Sequence, residues 1–207
     1  MTEDRILVFE RWAERYDESV QEATGVHRGY DQVLDLVVEL ADASPGMSIL
    51  DLGIGTGNLA QRFVERGCRV WGTDFSPAML DKARAKLPQV HLVKADLRQP
   101  AWPSEIERLF DRVVSTYVLH EFDLQTKLRL LRRLSEQHLA VGGRIVIGDI
   151  AFANIQDLAD AGADHWDEDE FYWVADETIA ACAEIGLRVT YRQVSSCGGV
   201  FAIHRMQ

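Results

Sequence analysis

Basic side chains are scarce in this sequence. Its 207 residues hold 22 Lys and Arg against 33 Asp and Glu, for a formal net charge of −11. A surface of that sign repels phosphate backbones and anionic lipids, so neither nucleic acid nor a membrane is expected as the main partner. Cysteine is nearly absent: Cys68, Cys182 and Cys197 are far apart, odd in number and form no CxxC pair. That argues against a disulfide framework and a zinc knuckle, and it fits a reducing, cytoplasmic setting. No stretch approaches the roughly 18 apolar residues of a membrane span. The start, Met1-Thr2-Glu3-Asp4, has no apolar core of a signal peptide. Internal repeats, low-complexity tracts and linkers are missing too, so residues 1–207 are expected to form one domain with a full core.

What is present is an alternation. Ile6, Phe9, Ala13 and Tyr16 recur at helical spacing, and Val33, Leu34, Val37, Val38, Leu40 and Ala41 make a second, more apolar helix. Ser44-Pro45-Gly46 closes this preamble. Short apolar strands are then expected at 47–52, 69–73, 90–93, 111–116 and 144–148, the last after Gly142-Gly143. Helices fall between them at 58–66, at 76–86 behind Ser76-Pro77, and along Leu124, Leu128, Leu131 and Leu134. Repeated strand–helix units predict a parallel, doubly wound α/β sheet covered on both faces. The tail differs: a helix at 176–184 precedes strands at 187–194 and 200–204, close enough to pair antiparallel. The domain divides into an N-terminal helical cap (1–45), a cofactor-binding core (46–150) and a substrate-side segment with the last strands (151–207).

Chemistry concentrates at the strand ends. Asp51-Leu52-Gly53-Ile54-Gly55-Thr56-Gly57 carries an apolar strand into a GxGxG loop and then a helix N-terminus. Glycines at that spacing let the backbone turn sharply and approach a ligand, which makes a cofactor cradle. Asp74 ends the second strand, 21 residues after Gly53, where a carboxylate can accept bonds from both ribose hydroxyls. That much suits NAD as well as S-adenosylmethionine. Asp96, after the third strand, could accept from an adenine amino group. The fourth strand end runs Ser115-Thr116-Tyr117-Val118-Leu119-His120-Glu121-Phe122 into the same crevice. His120 and Tyr117 are the catalytic candidates there; histidine suits proton transfer near neutral pH, and equally suits a satisfied, partly buried role at an apolar strand end. Asp149, at the end of the fifth strand, could face the substrate or cap the segment after it.

These pieces together resemble the class I S-adenosylmethionine-dependent methyltransferases. The likeness runs from about Ile49 to Ile150 in motif order: the DLGIGTG loop, Thr73-Asp74-Phe75-Ser76, Ala95-Asp96, Phe110-Asp111 and Gly142-Gly143. The segment Trp12-Ala13-Glu14-Arg15-Tyr16-Asp17 is similar to the opening of small stand-alone bacterial members of unassigned substrate. The resemblance implies a Rossmann-like, seven-stranded, mostly parallel sheet with an antiparallel last strand under a helical cap, and S-adenosyl-L-methionine as cofactor. It also implies roles. Asp51, Gly53, Gly55, Thr56 and Gly57 would lie against the methionine end, with Asp51 near its amino group. Asp74 would hold the ribose and Phe75 would pack on the adenine. Ala95, Asp96 and Leu97 would read the adenine edge, and Ser115 would sit near the sulfonium. Tyr16 and Tyr30 could close the site from above.

A small-molecule acceptor is expected, because the fourth strand end lacks the Asn/Asp-Pro-Pro-aromatic signature of amino-methylating nucleic-acid enzymes. The run Trp166-Asp167-Glu168-Asp169-Glu170-Phe171-Tyr172-Trp173 could attract a cationic acceptor. The polar residues Asp164, His165, Asp167, Glu168, Asp169 and Glu170 match no metal-ligand spacing, so they read as a solvated acidic lid and no metal is expected. Monomer and homodimer are both open. Two other functions compete: an NAD(P)-dependent oxidoreductase on a related fold, and a non-catalytic S-adenosylmethionine-binding module.

Overall fold

The computed structural model describes residues 16–21, 25–163, 166–167 and 169–206. The expectations for Ile6, Phe9, Trp12, Ala13, Asp164, His165 and Glu168 lie outside those residues.

Among the described residues eight strands alternate with helices: α1 (Tyr16–Gln21), α2 (Tyr30–Ala41), β1 (Ser48–Leu52), α3 (Asn58–Glu65), β2 (Arg69–Asp74), α4 (Pro77–Lys86), β3 (His91–Lys94), β4 (Phe110–Thr116), α5 (Leu124–Arg133), β5 (Leu139–Phe152), α6 (Ile155–Asp160), β6 (Trp173–Val174), α7 (Ala175–Glu184), β7 (Leu187–Gln193) and β8 (Gly198–Arg205). The main sheet runs β3-β2-β1-β4-β5-β8-β7, and β6 pairs with β5 off this path. Strands β1 to β5 are parallel to one another, while β8 is antiparallel to both β5 and β7. This is the Rossmann-like sheet that the sequence implies, with β6 as an unforeseen addition.

Side-chain alternation sorts the core into two layers. Ile49, Val114, Val146 and Val200 face one side, against Val33, Leu34 and Val37 of α2 and Leu59, Ala60 and Phe63 of α3. Leu50, Val113, Ile145, Ile147 and Phe201 face the other, against Leu130 and Leu131 of α5 and Cys182 of α7. Helix α4 starts as its sequence dictates: Ser76 Oγ accepts from the Met79 N–H at 3.3 Å and Pro77 takes the first helical position.

The fifth strand is longer than the expected 144–148. Its pairing with β4 slips between Phe110–Leu139 and Arg112–Arg144, so 140–143 bulge out where Gly142 has φ +74°. At its far end it reaches Phe152 because β6 and β8 both pair near there. The 151–175 stretch is accordingly more than a connection, holding α6 and β6.

Candidate active site

Strand order reverses direction at β1, between β2 and β4, and the carboxyl ends of these strands open one crevice. The glycine loop is its floor. Gly53, Gly55 and Gly57 all have positive φ, at 67°, 54° and 91°. A Cβ on Gly53 would stand 2.4 Å from Val118 Cγ2, whereas one on Gly55 would meet nothing within 4 Å. Gly53 therefore serves close packing, and Gly55 leaves open space on the ligand side.

A cavity at this place is lined by Tyr16, Gly53, Gly55, Asp74, Phe75, Ala95, Asp96, Leu97 and Tyr117 among the residues singled out from sequence. Met79, Thr116, Val118, Glu121 and Phe122 complete the lining. Asp51, Thr56, Gly57, Ser115 and His120 are not on its wall. The hydroxyls of two of these are engaged elsewhere. Ser115 Oγ donates to the Leu52 carbonyl at 2.8 Å, tying β4 to β1, and its neighbour Thr116 takes the wall position. Thr56 Oγ1 donates to Asp17 Oδ1 at 2.6 Å.

Three carboxylates at or just past successive strand ends are in different states. Asp74 braces the loop: Oδ2 accepts from the Gly55 N–H at 3.0 Å and Oδ1 from the Ser76 N–H at 2.9 Å. Burial still pushes its carboxyl upward against those bonds. Asp96 is forked to Arg98 at 3.1 Å; burial opposes ionisation, but the guanidinium wins and holds this carboxyl below its usual value. Asp51 is 1% exposed and its Oδ2 has no hydrogen-bond partner among the described residues. Burial, and then the charge of Asp74, raise it well above the ordinary range. An unpartnered buried acceptor beneath a glycine loop fits the ammonium of an amino-acid ligand.

Aromatic rings back the wall residue Tyr117, while Tyr30 and His27 are themselves off the wall. Tyr30 stacks on Tyr117 with ring centroids 5.2 Å apart, and His27 meets Tyr117 edge-on at 5.7 Å. Tyr117 has φ +54°, rare for a bulky side chain, and its buried hydroxyl lacks a partner among the described residues. Burial, with Asp149 and Tyr30 adding to it, drives its phenol far upward, so it stays protonated and can donate but not act as a base.

His120 is held from behind by Asp149. Nδ1 lies 2.6 Å from Asp149 Oδ1. Asp149 is fully buried and collects the N–H groups of Leu119, His120 and Ile150 together with Trp173 Nε1 at 3.0 Å. It stands off the cavity wall and does not start the segment after β5; it organises the turn after β4. Burial disfavours both charges of the pair, yet their mutual attraction prevails: the His120 value rises and the Asp149 value falls. Lys127, also buried, lies over Trp173 at 4.4 Å and donates to the Phe171 carbonyl. Burial pushes its ammonium down to about 8. Sequence reasoning missed Lys127, Trp173 and Glu170 as members of this group. They lie on separate segments with no shared periodicity, and only the fold joins them.

A glycine loop on β1, a carboxylate ending β2 and an antiparallel β8 inserted beside β5 define the class I S-adenosylmethionine-dependent methyltransferases. The methyltransferase domain family matches residues 49–143. An uncharacterized methyltransferase of Geobacillus sp. (strain WCH70) is 34% identical over 202 residues, covering 90% of this chain and 91% of that protein. Another from Anoxybacillus flavithermus is 36% identical over 151 residues, covering 71% and 68%. Among solved structures, the DhpI–SAH complex superposes with a TM-score of 0.72 at 17% identity, covering 97% of this chain and 95% of that one. A TehB-like SAM-dependent methyltransferase from Corynebacterium glutamicum superposes with a TM-score of 0.66 at 23% identity, covering 96% and 98%. The chain belongs to the methyltransferase family. Neither the oxidoreductase nor the binding-module alternative is favoured by these likenesses. No helix among the described residues is long and apolar enough to cross a membrane.

Proposed function

We propose that this enzyme methylates a small molecule enclosed between the glycine loop and the wall tyrosines Tyr16 and Tyr117. The observation that carries the reading is the pairing of an unpartnered, buried Asp51 carboxylate oxygen with the glycine loop beside it. In this reading Asp51 holds the ammonium of the cofactor, the Gly53 and Gly55 backbone lies against its methionine part, Asp74 takes the ribose, and Phe75, Asp96 and Leu97 frame the adenine. Domain boundaries follow the same logic: 1–45 as cap, 46–150 as cofactor core and 151–207 as the acceptor side of a single domain.

S-adenosylmethionine supplies, when bound, a methyl group already electrophilic on a sulfonium. The protein's share is therefore to position the acceptor in line and keep water out. Tyr16, Tyr117 and Phe122 on the cavity wall are suited to the second task. The Tyr117 hydroxyl, buried and without a partner among the described residues, would be a donor for a bound ligand. A small acceptor is supported by the chain's charge of −11, which disfavours nucleic acid. A cationic acceptor would be drawn to Glu121, which lines the wall on the same turn as Tyr117; Trp173 is not available to it, since its ring face already carries Lys127.

Titration with S-adenosylhomocysteine, followed by tryptophan fluorescence, tests the cofactor arrangement: Asp74→Ala and Asp51→Asn should weaken it, and NAD should give no response. A metabolite extract incubated with methyl-labelled cofactor then tests the acceptor class. Label appearing only in protein or nucleic acid would overturn the small-molecule reading.

A further inference from the structure

Three ligand-type atoms converge where the turn after β4 meets the segment before β6. His120 Nε2 and one carboxylate oxygen each of Glu121 and Glu170 all lie within 4.8 Å of one another. Nε2 stands 3.7 Å from Glu170 Oε1 and 4.0 Å from Glu121 Oε1. Two donors each about 2.1 Å from a common ion stand about 3.0 to 3.4 Å apart, so sub-ångström shifts of two glutamates would close the set.

The histidine is prepared for a metal. Its Nδ1 is fixed by Asp149 Oδ1 at 2.6 Å, the carboxylate–histidine arrangement that leaves the lone pair on Nε2. His120 is 9% exposed, and its Nε2 is directed at the two glutamates. Glu170 is not set there by a loose loop. The Phe171 N–H donates to the His120 carbonyl at 2.7 Å, and Lys127 Nζ holds the Phe171 carbonyl. Three carboxylates, of Asp149, Glu170 and Glu121, surround this imidazole. Glu121 also lines the cofactor cavity, which puts the cluster at the cavity's edge.

We propose that His120, Glu121 and Glu170 bind one divalent first-row cation, Mn²⁺ or Zn²⁺, and that its open positions hold an oxygen or nitrogen of the methyl acceptor. One imidazole with two carboxylates suits those ions better than Mg²⁺, which prefers oxygen ligands and keeps its water. The second half of the proposal rests on the methyl-transfer reading; the first does not.

The test uses the full chain, stripped with EDTA and then titrated with Mn²⁺ by electron paramagnetic resonance and with Zn²⁺ by calorimetry, without cofactor. One equivalent should bind, with a rise in Tm. Glu121→Gln and Glu170→Gln should each weaken it by about 10-fold or more, while Asp167→Asn, on the exposed part of the same segment, should not. Imidazole nitrogen coupling to bound Mn²⁺ should be present in wild type. Absence of binding at millimolar ion overturns the proposal and leaves His120 as a buried imidazolium caged by carboxylates. Stoichiometric binding that survives the Glu121→Gln/Glu170→Gln double variant overturns it as well. S-adenosylhomocysteine binding to the stripped protein reports on the cofactor reading separately. Labelled turnover that is equal with and without EDTA overturns the acceptor half.

Discussion

Asp17 on α1 ties down Thr56 in the glycine loop: its Oδ1 accepts from Thr56 Oγ1 at 2.6 Å. The same oxygen accepts from Asn58 Nδ2 at 3.1 Å, and Oδ2 from Lys86 Nζ at 2.8 Å. Burial opposes ionisation, but Lys86, Thr56 and Asn58 outweigh it, so this carboxyl lies below its usual value. A depressed folded value means the tie stabilises above the unfolded pKa and is lost as pH falls through the folded one. The amide resonances of Thr56 and Asn58 should therefore titrate with a midpoint below about 3.9, and Asp17→Asn should remove that titration. A midpoint at or above the ordinary aspartate value would refute the tie.

Asp51 moves the opposite way. Its raised value in the free protein would fall when an ammonium arrives, so cofactor binding should release a proton. Affinity for S-adenosylhomocysteine should then climb as pH rises toward the raised Asp51 value. Calorimetry in two buffers of different ionisation enthalpy measures the proton count directly. Asp51→Asn should abolish the release and weaken binding by about 1.5–3 kcal/mol, the range for a hydrogen bond to a charged group. Binding without proton release in wild type would count against Asp51 as the ammonium's partner.

At Gly53 two penalties coincide: φ +67° and a Cβ position 2.4 Å from Val118 Cγ2. Gly53→Ala should lower stability by about 1–3 kcal/mol in urea denaturation. Adding Val118→Ala should recover the steric part and leave roughly 1 kcal/mol of backbone strain. Strict additivity of the two single changes would mean that no clash exists.

Trp173→Phe keeps an aromatic ring under Lys127 and removes the Nε1 donor to Asp149. Leaving that buried carboxylate one donor short should cost about 1–3 kcal/mol. The loss should appear in thermal melts without changing affinity for S-adenosylhomocysteine.

Much of the crevice around the glycine loop was legible because its constraints are local. Positive φ favours glycine, so GxGxG announces a loop that other residues would form only under strain. Asp74 and Ser76-Pro77 mark a strand end and a helix start by their own chemistry. What the sequence leaves unread here is side-chain parity. Ser115 and Thr116 are adjacent and point opposite ways, and the one that meets Leu52 is Ser115. Thr56 sits in the loop as expected but turns its hydroxyl to Asp17, 39 residues away. The surroundings of His120 were opaque for the same reason on a larger scale. Asp149 and Glu170 reach His120 from distant segments, and the acidic run that reads as solvated turns Glu170 inward. No periodicity encodes such meetings.

Strand β8 enters the sheet between β5 and β7, and among the described residues β7 pairs with no other strand. On the ribosome, then, β1 to β5 can assemble as each emerges, but the sheet keeps an open flank along β5 until β8 is made. For that interval the backbone of 145–150 lacks its β8 partner, and an unpaired strand edge is a template for pairing with another chain.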